Sequence, residues 1–160
     1  MTLREYYLKR AKAEFPVFVK VMKALPDDLS YKPHERSPSA QQIVWLLMTE
    51  MKACIDAVDT GKADWIDDVT PPSREEMIAS YEKYSNELIE KVSRLDDDAL
   101  EKNAQFLYKG TTVMNEPAIQ FLWDFLFDAI HHRGQLSAYI RPMGGKVPSI
   151  YGPSADDPGM

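Results

Sequence analysis

Glu50, Asp128 and His132 are the residues in this sequence whose type and spacing could do chemistry. Read at steps of three and four, one helical stripe runs Ile43, Leu47, Glu50, Cys54 and Ala57, with Leu46 and Met51 on its flanks. A carboxylate therefore sits in the middle of an apolar face. A second stripe runs Ala118, Phe121, Phe125, Asp128, His132, Gln135 and Tyr139, apolar first and polar afterwards. A buried carboxylate without a partner costs several kcal/mol or takes up a proton, and two that face each other repel. A divalent cation resolves both problems. Glu50 and Asp128 supply negative charge and His132 supplies a nitrogen. The four-residue spacing puts Asp128 and His132 on one helix face. The same residues also admit a structural role, in which Asp128 holds His132 as an imidazolium. Glu50 then meets Arg10, or a tyrosine of the first or third helix.

Other candidates carry less. His131 points about 100° away from His132 around the helix, as a supporting or interface residue. Cys54 follows Glu50 by one turn and reads as packing. His34, beside Glu35 and Arg36, reads as a solvated loop residue. Gln135 is placed to orient a ligand from one turn away, or to satisfy a neighbouring helix. Trp45, Trp65 and Trp123 read as core or rim residues. The sequence has no Gly-rich phosphate loop, no paired CxxC and no nucleophile elbow.

Composition narrows the classes. A chain of 160 residues, 44% hydrophobic and 28% charged, has the makeup of one ordinary globular domain over 1–160. Its net charge of -6 argues against nucleic acid or an anionic membrane as partner. No stretch approaches the roughly 20 apolar residues that span a bilayer. Met1 to Arg10 lacks the apolar core of a signal peptide. With a single cysteine, the expected location is the cytoplasm.

Four helical segments must position these groups. The first spans about Leu3 to Leu25, with Tyr7, Ala11, Phe15, Phe18, Met22 and Leu25 on one stripe and a kink or break expected near Glu14 and Phe15, ahead of Pro16. A loop from Pro26 to Ser39 leads to a second helix from Ser39, as N-cap, to Thr60, stopped by Gly61. Asp67 to Pro72 reads as a loop, and Ser73 with Glu76 as a capping box. The third helix carries Met77, Tyr81, Tyr84, Leu88, Val92 and Leu95 and ends at Asp96 to Ala99. Phe106 to Val113, around Lys109-Gly110, has the pattern of a short hairpin. Pro117 suits the first turn of a fourth helix capped near Asn115 and running to about Met143, before Gly144-Gly145. Val147 to Met160 reads as an irregular tail. The expected fold is all-α: an antiparallel four-helix bundle with medium-length connecting loops.

His131-His132-Arg133-Gly134-Gln135-Leu136, with Asp128 before it and Tyr139-Ile140-Arg141 after it, resembles the DinB family of four-helix-bundle proteins. So do the loop bearing Tyr31, Pro33, Ser37 and Ser39 and the tail Gly145 to Pro153. The resemblance covers nearly the whole chain. It implies a metal held by three residues, usually all histidine, one from the second helix and two, four residues apart, from the fourth. His132 matches the last of these. Asp128 stands where its partner histidine is usual, and Leu46 where the second-helix histidine is usual. Leucine cannot ligate, and Glu50 is the next inward residue that can. The expected cofactor is one divalent ion, Zn, Ni, Mn or Fe, with the oxygen-rich set favouring Mn or Fe.

What the resemblance implies is a metal-dependent transferase of the thiol-transferase type, or a hydrolase. Its substrate would be a small molecule such as a low-molecular-weight thiol. The alternative is a non-catalytic stress or binding protein with a structural polar seam. A homodimer is expected, because Trp123, Leu126, Phe127 and Ile130 lie off the inward stripe and form an apolar patch.

Overall fold

Cap chemistry fixes the helix ends. Ser39 accepts the backbone N–H of Gln42, whose side chain accepts the N–H of Ser39, and α2 (Ala40–Thr60) begins there. It stops where Gly61 turns left-handed at φ 70°, a conformation that glycine adopts without a Cβ penalty. Ser73 and Glu76 make the same reciprocal box ahead of α3 (Arg74–Arg94), and Thr2 and Glu5 make one ahead of α1 (Leu3–Lys23). Of the kink or break expected near Glu14 and Phe15, the break does not occur: α1 runs through Pro16. Phe15 and Phe18 pack on Tyr81 of α3 on either side of the proline, which holds the helix in register. The computed structural model describes residues 1–65 and 70–159, so part of the expected loop Asp67 to Pro72 lies outside the described residues.

The all-α expectation is corrected. Besides the long helices there is a four-residue helix, α4 (Asp97–Leu100), and a mixed sheet of β1 (Lys62–Trp65), β2 (Asn103–Tyr108) and β3 (Thr111–Pro117) in the order β1-β2-β3. The hairpin β2–β3 forms as its alternation suggested, turning at Lys109 and Gly110 with φ of 50° and 76°. What overturns the all-helical class is β1, which continues straight from Gly61 and pairs in parallel with β2, Lys62 opposite Gln105 and Trp65 opposite Tyr108. Because Asn115 to Pro117 belong to β3, Asn115 does not cap the last helix. α5 (Ala118–Ile140) begins directly after Pro117, and the amide of Ala118 donates to Lys102 O at 2.9 Å. α5 ends three residues short of Met143, where Gly145 N closes on Ile140 O.

The helices α1, α2, α3 and α5 enclose the core, with Tyr7, Phe18, Leu47, Tyr81, Leu88 and Leu122 fully buried. The sheet packs on α2 and α5. No helix among the described residues is long and apolar enough to cross a membrane.

Two charges lie inside this core, Glu14 of α1 and Arg133 of α5, each 2% exposed. Arg133 Nη1 donates to Glu14 Oε2 at 2.7 Å, and its guanidinium lies over the ring of Phe18. The hydroxyl of Tyr151, from the C-terminal tail, accepts from Arg133 and donates to Glu14 at 2.9 Å, while Arg10 closes on the other Glu14 oxygen. Burial opposes the Glu14 charge. The hydrogen bonds from Arg133 and Tyr151, with the charges of Arg133 and Arg10, nevertheless hold its pKa below the ordinary value. Removing one member strands the other charge in the core, so Glu14→Gln or Arg133→Met is expected to cost about 3–5 kcal/mol in urea unfolding. The double replacement is expected to cost less than the sum of the two.

Candidate metal centre

The second helix brings Glu50 to the wall of the core, one turn beyond Leu46. It is 6% exposed, and its Oε2 has no hydrogen-bond partner. Arg10, the base that a structural role for Glu50 called on, is engaged with Glu14 instead. The Tyr81 hydroxyl is itself without a partner. Glu50 faces α5. There Asp128, its side chain 55% exposed, and His132, 19% exposed, stand one turn apart, with His132 Nε2 3.3 Å from Asp128 Oδ2. One donor atom from each of Glu50, Asp128 and His132 lies within 4.8 Å of the others, the one such group of three among the described residues. The sequence-derived triad is thus brought together by the fold.

The two stripes differ in how far they are inward. On α5 the buried residues are Ala118, Ile119, Phe121, Leu122, Leu126, Ala129, Arg133, Leu136, Tyr139 and Ile140. The stripe's Ala118, Phe121 and Tyr139 are thus inward as expected, while the middle of the buried face, Leu126, Ala129 and Arg133, runs one residue past Phe125, Asp128 and His132. One residue is about 100° of rotation. Asp128 and His132 therefore line the edge of the helix group rather than the core, Asp128 on one cleft and His132 on its neighbour. The cleft, about 600 Å³, is bounded by Leu46, Glu50 and Asp128 on the helices and by Trp65, Phe106 and Met114 on the sheet. A second cleft of about 640 Å³, lined by Ile43, Trp45 and His132, shares Leu46 and Trp65 with it.

Electrostatics mark Glu50 as the unusual member. Burial, then a hydrogen bond with Asp128 and the Asp128 charge, push its pKa up from 4.5 to about 10. Glu50 thus favours its protonated form beside the Asp128 carboxyl. A divalent ion would take that proton's place, leaving each carboxylate charged and compensated. The orphaned Oε2 and the set of two carboxyl oxygens with one imidazole nitrogen fit such an ion.

His132 is oriented from behind. Gln135 Oε1 stands 2.9 Å from His132 Nδ1, and Gln135 Nε2 stands 3.2 Å from His131 Nε2. An amide oxygen facing Nδ1 favours the tautomer with its proton there, in which Nε2, on the Asp128 side of the ring, is the ligating atom. His131 is exposed and supports the triad through Gln135, without pointing at it. Cys54, one turn past Glu50, is buried. Burial and then the Glu50 charge drive its thiol pKa far up, which suits packing rather than reactivity. His34 is exposed and accepts the N–H of Arg36, as its loop position implied. Glu14 and Arg133, a buried ion pair in the core, escaped the stripe reading because that reading left Arg133 off the inward face.

Residues 4–159 match the DinB family. The chain belongs to the DinB family. Among its relatives, the Bacillus subtilis (strain 168) protein YrdA, described as uncharacterized, is 25% identical over 156 residues, 96% of this chain and 90% of YrdA. YjoA of the same organism, also described as uncharacterized, is 24% identical over 119 residues, 74% of this chain and 75% of YjoA. Two solved structures share the fold. A DinB-like protein of Bacillus cereus ATCC 10987 has a TM-score of 0.76 at 22% identity, covering 92% of this chain and 97% of that one. The B. subtilis YjoA structure has a TM-score of 0.67 at 19% identity, covering 88% and 94%.

The raised pKa of Glu50 has a stability consequence with a definite sign. A carboxyl that is harder to ionise folded than unfolded contributes stability fully below its unfolded pKa, near 4.5, and loses it as pH rises toward about 10. The melting temperature of chelator-treated protein should fall across that window more steeply than that of Glu50→Gln, whose amide carries no titrating proton. Equal slopes for the two proteins would contradict the assignment.

Proposed function

We propose that this DinB-family chain is a metal-dependent enzyme, a transferase of the thiol-transferase type or a hydrolase, acting on a small molecule in the cleft beside Glu50, Asp128 and His132. The observation that carries the reading is Glu50, buried with its Oε2 unpartnered and with a carboxylate oxygen within 4.8 Å of ligand atoms of Asp128 and His132. Those three side chains would hold one divalent ion. Three protein ligands leave coordination positions for substrate or solvent, as catalytic sites need. Manganese or iron suits the oxygen-rich set best, and zinc and nickel also accept it. When bound, the ion supplies Lewis acidity and lowers the pKa of a coordinated water or thiol. The chain's own part is to fix the ion, through Gln135 behind His132, and to wall the site with Leu46, Trp65 and Phe106, which exclude bulk water from one side.

Protein purified without a histidine tag is expected to retain close to one equivalent of transition metal per chain by elemental analysis. Glu50→Gln should lower metal affinity by an order of magnitude or more, and should melt no lower than wild type once both are stripped with chelator. A Glu50→Gln protein that melts equally lower with and without chelator, its metal content unchanged, would sink the metal role.

A second copy of the chain is proposed as the partner at the apolar edge of α1 and α5. The face there differs from the sequence expectation in one respect: Leu126 is buried in the core. Trp123 instead stacks between Tyr6 and Phe127, with ring centroids at 5.4 and 5.5 Å, and Phe127 is 59% exposed. Sedimentation at micromolar concentration should give a species of twice 18.3 kDa, and Phe127→Lys should return it to monomer.

A further inference from the structure

The cleft beside the triad has one wall that the metal reading leaves unexplained. Asp124 lines it one turn before Asp128 on α5, so three carboxyls, Glu50, Asp124 and Asp128, face the same space. The described lining residues include no lysine, arginine or histidine. A divalent ion on the triad would compensate Glu50 and Asp128 and leave Asp124 as it stands. Its neighbour Glu116 does not neutralise it either. Burial, then the Asp124 charge and a hydrogen bond with Asp124, raise the Glu116 pKa, and Glu116 Oε1 is buried without a partner. Lys109, next to the lining residue Tyr108, lies with its Nζ over the Tyr108 ring at 5.2 Å from the centroid.

Much of the remaining lining is aromatic. Phe106 meets Trp65 edge-on at 5.8 Å and Phe125 at 5.3 Å, and all three rings line the cleft. Aromatic faces beside an uncompensated carboxylate attract an organic cation doubly, through the ring quadrupole and through charge, while an organic anion would meet Asp124 unfavourably. We infer that the cleft takes the protonated amine of an apolar small molecule, with Asp124 holding the ammonium and Trp65, Phe106 and Phe125 holding the body. The inference rests on the proposed reading of this cleft as a small-molecule site beside a metal. Asp124 and Asp128 are about 6 Å apart along the helix axis, so an ammonium on Asp124 would place a group two or three bonds away over the triad.

A matched set of probes tests this: phenethylamine, phenethyl alcohol and hydrocinnamate, titrated calorimetrically at neutral pH into the full chain, manganese-loaded and chelator-treated, with metal content measured on the same samples. The amine should bind about tenfold or more tighter than the alcohol, and the carboxylate most weakly. Asp124→Asn should bring the amine to within about twofold of the alcohol. Its alcohol affinity should stay unchanged, which also shows the cleft intact. An amine no tighter than the alcohol, a preference that survives Asp124→Asn, or no binding of any probe would each overturn the inference. The two readings separate. Amine preference in a chain that retains no metal would refute the metal and keep the amine site, and a metal-replete chain without that preference would do the reverse.

Discussion

Arg133 points into the helix group because Glu14 is there to receive it, and that contact sets the rotation of α5. A guanidinium enters an apolar interior only where a carboxylate and further hydrogen bonds meet it. Here Glu14, Tyr151 and the face of Phe18 do so. With Arg133 inward, the rest of α5 follows at its fixed pitch. Leu126, Ala129 and Leu136 turn to the core, and Asp128 and His132 come to the edge. The same pair ties the C-terminal tail to α1. Ser149 and Asp157 of the tail also take Lys20, and the backbone amides of Ser149 and Gly159 lower the Asp157 pKa. The stability of the molecule and the orientation of its candidate site therefore share one buried ion pair.

The sheet supplies what helices alone would not. Its strands stand beside α2 and α5 and turn Trp65, Phe106 and Met114 toward Glu50 and Asp128. An open edge of the helix group becomes a cleft with one apolar and one acidic wall. That low-polarity boundary is also why Glu50 resists ionisation, since nearly all of its surface is out of water while Asp128 keeps a path to solvent. A buried carboxyl that favours its protonated form, beside a second carboxyl open to solvent, is suited to exchange that proton for a cation.

Much of this was legible in the sequence, where the signals are local. Ser39, Gly61 and the Ser73–Glu76 box mark helix ends through their own side-chain chemistry, and Glu50 stands out because one acid in an apolar stripe violates its surroundings. The hairpin showed in its alternation. What escaped was nonlocal. Four residues, Lys62 to Trp65, carry too little pattern to announce a strand, and β1 exists because β2, some forty positions on, offers it a parallel edge. On α5 the stripe caught Ala118, Phe121 and Tyr139 but set Phe125, Asp128 and His132 too far inward, because an inward arginine looks like a surface residue until its partner on α1 is known. The error moved Asp128 and His132 to the rim without separating them from Glu50, since a helix edge and its neighbouring stripe both face α2.

The most direct measurement is the anomalous scattering of crystals of the untagged protein, collected at the manganese, iron, nickel and zinc absorption edges. One peak is expected, bonded at about 2.0–2.2 Å to a carboxylate oxygen of Glu50, a carboxylate oxygen of Asp128 and Nε2 of His132, and rising at the edge of a single metal. Density that leaves Glu50 Oε2 facing an apolar wall, with any metal held away from all three side chains, would contradict a metal centre built on Glu50.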